Sequence, residues 1–175
     1  SEACDYVVVA YSAETYQAFL QWGLDAYGQA DAYLIYEVKG VPGIIREYNE
    51  KKQIASTTYV DADNNPTTGE QGYTTVKYQY DQYGRNIYEV YYDIEGNAMS
   101  ISGGYAGIKR QYNKDDNIHK ATYVDENGNP KLGKTGYASV IYEYNQDNRV
   151  SYEYYLDEKD KPVKVSGYYG RTIQY

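Results

Sequence analysis

The stretch Gly72-Tyr73-Thr74-Thr75-Val76-Lys77-Tyr78-Gln79-Tyr80, followed by Asp81-Gln82-Tyr83-Gly84-Arg85, has the pattern of a β-strand running into a tight turn. Side chains alternate sides along an extended chain, so Thr74, Val76, Tyr78 and Tyr80 share one face. Tyr73, Thr75, Lys77 and Gln79 take the other. β-Branched and aromatic residues suit such a pleated surface. Asp81 opens a turn, because its side chain can hydrogen-bond the backbone two residues on. A second strand after the turn completes a β-hairpin.

The pattern recurs along the chain. Gly40, Gly72, Gly104 and Gly136 lie 32 residues apart, and Gly167 follows after 31. Tyr48, Tyr80, Tyr112, Tyr144 and Tyr175 keep step, as do Tyr59, Tyr91, Tyr123 and Tyr155. The turns Asn49–Gln53, Asp81–Arg85, Asn113–Asn117 and Asn145–Arg149 all open on Asn or Asp. The second strand is predicted from Val150 to Leu156 in the last full copy. The repeats are therefore placed at 40–71, 72–103, 104–135 and 136–166, with a partial fifth at 167–175. A longer period lies over this one: Arg46 matches Arg110, and Val76–Tyr80 matches Val140–Tyr144. The building block is then a pair of hairpins.

One hairpin buries too little surface to stand alone, and stacking its neighbours solves this. The expected fold class is mainly β: tandem 32-residue hairpins stacked as an elongated solenoid-like array. Residues 1–39 are read as a short α/β N-terminal cap. There Ser12 is an N-cap, Tyr16, Phe19, Leu20, Leu24 and Tyr27 form one helical stripe, and Tyr33 to Val38 form a strand.

Composition narrows the function classes. The chain has 175 residues, a net charge of −8, and 27 Tyr against one Trp, one Phe and one Met. An acidic chain repels phosphate backbones, so nucleic acid is not an expected partner. No apolar run reaches the length of a membrane span. The single cysteine, Cys4, and the single histidine, His119, offer no metal set and no catalytic device, so no cofactor and no enzyme activity are expected. The loops opened by Asp61, Asp93 and Asp125 carry oxygen donors at alternate positions, as calcium loops do. They lack the late bidentate Glu and read as plain turns.

The runs Tyr91-Tyr92-Asp93-Ile94-Glu95-Gly96-Asn97 and Tyr154-Tyr155-Leu156-Asp157, each followed by a Gly-Tyr step, resemble the choline-binding and glucan-binding repeats of Gram-positive surface proteins. Tyr80-Asp81-Gln82-Tyr83-Gly84-Arg85 resembles the Tyr-Asp repeats of bacterial Rhs-type proteins. The resemblance implies a secreted or cell-surface bacterial module that binds glycan or cell-wall polymer between successive hairpins. It also implies the positions: Tyr73, Tyr105, Tyr137 and Tyr168 at the Gly-Tyr steps, and Tyr91, Tyr123 and Tyr155 on the second strands. With Tyr where those families use Trp, the π-faces are weaker for a quaternary ammonium and remain suited to sugar rings.

Two expectations follow for these rings. Tyr91, Tyr123 and Tyr155 are placed in a stacked core, because a chain poor in Leu and Phe needs its Tyr inside. Tyr73, Tyr105 and Tyr137 are placed on the face opposite the Val76, Ile108 and Val140 row, exposed for a ligand. The alternatives to glycan binding are a structural spacer, end-to-end self-assembly, or a surface for another protein.

Overall fold

The computed structural model describes residues 43–174, and the expected cap at 1–39 lies outside that range. The described chain is mainly β, with nine strands and no helix among the described residues. They are β1 (Gly43–Tyr48), β2 (Ile54–Val60), β3 (Thr75–Tyr80), β4 (Asn86–Tyr92), β5 (Gly107–Tyr112), β6 (Ile118–Val124), β7 (Ser139–Tyr144), β8 (Val150–Leu156) and β9 (Gly170–Thr172). The described residues fall into two compact units, divided between Thr67 and Thr68. In the first, β1 and β2 make an antiparallel hairpin. In the second, β3 to β9 pair antiparallel in chain order, and β9 does not return to β3, so the sheet stays open.

Each hairpin is built the same way because its turn is. Lys52, Gly84, Asp116 and Asn148 hold positive φ at equivalent places. In each turn the backbone N–H before the last residue returns to the opening Asn or Asp, as in Lys52 N to Asn49 O at 2.8 Å. That is a type I turn closed by a left-handed residue, the usual route into a bulged three-residue hairpin loop. A register shift separate from the turn then falls between Glu47/Tyr48, Gln79/Tyr80, Gln111/Tyr112 and Glu143/Tyr144. The opening side chain ties the loop shut: Asn113 Oδ1 accepts N–H bonds from Asp115 and Asn117, both at 3.0 Å.

Two of the tyrosines at these shifts, Tyr112 and Tyr144, clamp the preceding hairpin. Tyr112 Oη donates to the carbonyl of Asn86 at 2.9 Å, and Tyr144 Oη donates to that of Ile118 at 2.8 Å. At these two members of the 32-residue tyrosine series the hydroxyl satisfies a carbonyl at the start of the neighbouring strand.

The two faces divide by register. Val76 pairs with Tyr91, Ile108 with Tyr123, and Val140 with Tyr155, so these residues share one face. Glu89, Arg110 and Glu153 lie on that face as well. The opposite face carries Tyr88, Lys109, Val124 and Leu156, with Val124 and Leu156 buried. Gly107 is fixed by packing there: a Cβ would sit 2.4 Å from the Glu89 carbonyl oxygen and 3.2 Å from the Tyr88 ring. The small residues Thr74, Ala106 and Ala138, one after each Gly-Tyr step, are almost wholly buried.

Candidate functional site

The main chemical feature of the second unit is a single run of tyrosine rings. Tyr73 lies 4.9 Å from Tyr91 between centroids, and Tyr91 lies 6.2 Å from Tyr105, both tilted. Tyr105 then stacks on Tyr123 at 4.1 Å, Tyr123 on Tyr137 at 5.4 Å, and Tyr137 on Tyr155 at 5.0 Å. The run alternates between Gly-Tyr steps and second strands. The two sets separated in the sequence reading are thus one ladder.

That arrangement corrects the expected placement of Tyr73, Tyr105 and Tyr137. They are half-buried, and Tyr73 and Tyr105 pack against the cluster of Val76, Tyr91 and Ile101 instead of facing away from it. The reason is local. Strand β3 begins at Thr75, after Gly72 at a φ of 92°, so strict alternation does not reach back to Tyr73. Tyr91, by contrast, is buried as expected, at 8% exposure.

Tyr168 departs from its counterparts. In the internal copies the loop bond spans five residues, as Ile101 N to Tyr105 O. In the fifth, Val165 and Tyr168 bond each other in both directions, with Ser166 and Gly167 both at positive φ. This two-residue turn takes one residue out of the loop, and it corresponds to the 31-residue spacing. Tyr168 is left 70% exposed, and Tyr169 stands 52% exposed at the place of the buried Ala106 and Ala138.

Electrostatics on the ladder face come in repeated sets. Tyr91 Oη donates to Glu89 Oε1 at 2.7 Å, and Glu89 Oε2 meets Arg110 at 2.9 Å. Tyr155 Oη donates to Glu153 Oε1 at 2.5 Å, and the same oxygen meets Arg171 at 2.7 Å. The Glu belongs to an even hairpin and Arg110 to the odd hairpin after it. This gives the two-hairpin period a physical basis. Burial pushes the phenols of Tyr91, Tyr105 and Tyr123 above their ordinary range. Burial, reinforced by the Glu89 carboxylate, acts on Tyr91, whereas the hydroxyl of Tyr137 at 3.3 Å assists at Tyr123. The Tyr155 phenol is pushed up to about 12, first by burial and then by its bond to Glu153.

The Asp-opened loops are turns. Asp125 Oδ1 accepts N–H bonds from Asn127 at 2.9 Å and Asn129 at 2.8 Å, and Asp61 and Asp157 do the same in theirs. These backbone bonds hold the three carboxyls below the usual carboxylate range. No cluster of three or more His, Cys, Asp or Glu is placed to hold a metal among the described residues. His119 is exposed on β6, and no described helix is long and apolar enough to cross a membrane.

Tyr83 and Tyr169 are exposed rings that the sequence reading did not select. Tyr83, 73% exposed, sits in the turn after β3 with the Arg85 guanidinium 5.0 Å from its centroid. Its place inside Asp81–Arg85, where side chains point to solvent, was the available signal. No protein-family model matches this sequence, and no curated protein matches it.

Proposed function

We propose that the chain is a non-catalytic structural repeat module: tandem hairpins stacked as a solenoid-like array, capped at 1–39, that serves as a spacer or scaffold. The observation that carries this reading is the ladder itself. Sugar recognition by aromatic residues needs free ring faces, and from Tyr105 to Tyr155 the faces are turned on one another at 4.1–5.4 Å. The rings are used for cohesion where fully buried aliphatic side chains are few among the described residues.

Glycan binding at the surface of a bacterial cell is the second reading, and the exposed Tyr168 and Tyr169 favour it. Both rings stand out of the ladder, with Lys164 Nζ 5.2 Å from the Tyr169 centroid and Arg171 close in sequence. Titration of cell-wall and polysaccharide fractions against the intact chain, read by tyrosine fluorescence, separates the two. The scaffold reading predicts a flat response. A saturable, salt-insensitive change abolished in Tyr168→Ala/Tyr169→Ala, with circular dichroism unchanged, would establish the glycan site and displace the scaffold as the main role.

A further inference from the structure

Among the described residues the ladder has a property that packing does not require. Its second ring and its last ring, Tyr91 and Tyr155, each donate a phenolic hydrogen bond to a carboxylate two residues away, at 2.7 Å and 2.5 Å. Three rings, Tyr105, Tyr123 and Tyr137, bridge the space between, with successive centroids 4.1–6.2 Å apart. A phenol that loses an electron becomes a strong acid, so a base at the hydroxyl makes one-electron oxidation of tyrosine easier and stabilises the radical that results. Tyr91 and Tyr155 have that base in place. Each carboxylate is in turn held in position by an arginine, Arg110 for Glu89 and Arg171 for Glu153.

We infer that the ladder conducts a one-electron vacancy between Tyr155 and Tyr91, making the module a site where an oxidising equivalent is taken up and moved along the sheet. The co-reactant is an external one-electron oxidant, of the class of a photogenerated metal complex or a carbonate radical anion. It removes one electron from Tyr155 and is itself reduced by one. The Tyr155 O–H bond breaks, and its proton passes to Glu153 Oε1, leaving a neutral phenoxyl radical beside a neutral carboxylic acid. An electron from Tyr91 then crosses the stacked rings of Tyr105, Tyr123 and Tyr137 to fill the vacancy. Glu153 returns its proton to Tyr155, and Glu89 accepts the proton of Tyr91. The net change is a radical moved from Tyr155 to Tyr91 and a proton moved from Tyr91 to Glu89.

Burial of Tyr91 protects the radical from solvent at the far end. Tyr83 lies outside the ladder and bonds to no carboxylate through its hydroxyl among the described contacts, so it serves as an internal reference.

The test attaches a ruthenium polypyridyl photo-oxidant to the intact chain through Lys164→Cys, in a Cys4→Ser background. Lys164 is exposed and next to Val163, whose N–H bonds to the Tyr155 carbonyl. After a flash with an irreversible quencher, radicals are trapped with a nitroso spin trap and mapped by peptide mass spectrometry. Trapped product is expected at Tyr155 and at Tyr91, well above that at Tyr83. Tyr123→Phe keeps the ring stack but removes an oxidisable phenol, and it should reduce Tyr91 product to the Tyr83 level while leaving Tyr155 labelled. The off-ladder control Tyr144→Phe should leave the Tyr91 product unchanged. Equal labelling of Tyr91 in the native and Tyr123→Phe chains would overturn the inference. So would labelling confined to residues around the photo-oxidant in the native chain. Circular dichroism of each variant, matched to the native spectrum, ensures that a loss at Tyr91 is a loss of transfer.

Discussion

The rings of Tyr105 and Tyr123 lie 6° from parallel with centroids 4.1 Å apart, although one precedes β5 and the other sits in β6. Two sequence series that look independent meet in that contact. Its energetic share follows from area and geometry: a large aromatic truncated in a packed site costs about 3–5 kcal/mol, and ring pairing contributes about 0.5–1.5 kcal/mol of its own. Both rings are half-buried, so Tyr123→Ala should lose about 2–4 kcal/mol. Tyr123→Phe, which forfeits only a 3.3 Å hydroxyl contact, should lose under about 1 kcal/mol. Urea denaturation of the two variants checks the difference.

The Glu89–Arg110 pair predicts strong coupling. Their side chains are 13% and 17% exposed, so neither charge is well hydrated. Removing one partner strands the other, a loss of about 2–4 kcal/mol in Arg110→Ala, whereas removing both relieves part of that cost. A double-mutant cycle with Glu89→Ala and Arg110→Ala should therefore give a double variant more stable than the sum of the singles requires. Strict additivity would mean that the pair does not fix the order of odd and even hairpins.

Backbone strain in the turns offers an independent check. Lys52 holds a φ of 60° where the next hairpin has Gly84 at 86°. A left-handed conformation costs an ordinary L-residue about 1–2 kcal/mol, and glycine gives back roughly 0.5–1 kcal/mol in chain entropy. Lys52→Gly should thus raise stability by up to about 1 kcal/mol, and Gly84→Ala should lower it by about 1 kcal/mol. Thermal melts of the pair test both signs.

The fifth copy predicts that one residue controls a ring. Inserting a glycine between Ser166 and Gly167 restores the loop length of the internal copies and should draw Tyr168 towards Tyr155. Acrylamide quenching of tyrosine emission should then decrease relative to the native chain. Unchanged quenching would show that loop length is not what keeps Tyr168 out of the ladder.

Much of this was legible in the sequence. The hairpins, their Asn- or Asp-opened turns and the span Val150–Leu156 follow from alternation and turn chemistry, both of which are local. The turns at the Asp loops are legible for the same reason, since the opening Asp bonds its own backbone. The side taken by Tyr73, Tyr105 and Tyr137 was not legible, because it depends on where each strand starts. A positive-φ glycine before Tyr73 breaks the alternation that the prediction extrapolated. The Glu89–Arg110 pairing was half visible, as the 64-residue match of Arg46 with Arg110, but naming its partner needed the register between β4 and β5.

The most direct test of the central claim, that these tyrosines are stacked inside the fold, is a spectrophotometric titration of the intact chain in alkali with circular dichroism followed in parallel. Free phenols ionise near 10.0, whereas Tyr155 is pushed up to about 12 and Tyr91, Tyr105 and Tyr123 are raised as well. The folded state therefore holds these protons more tightly than the unfolded state does. Its stability is fully present below pH 10 and falls as pH rises through the window from 10 to about 12. The expected result is that the ladder tyrosines ionise late, above pH 10, together with loss of the β signal. A single smooth titration of every tyrosine near 10, with the fold unchanged, would contradict it.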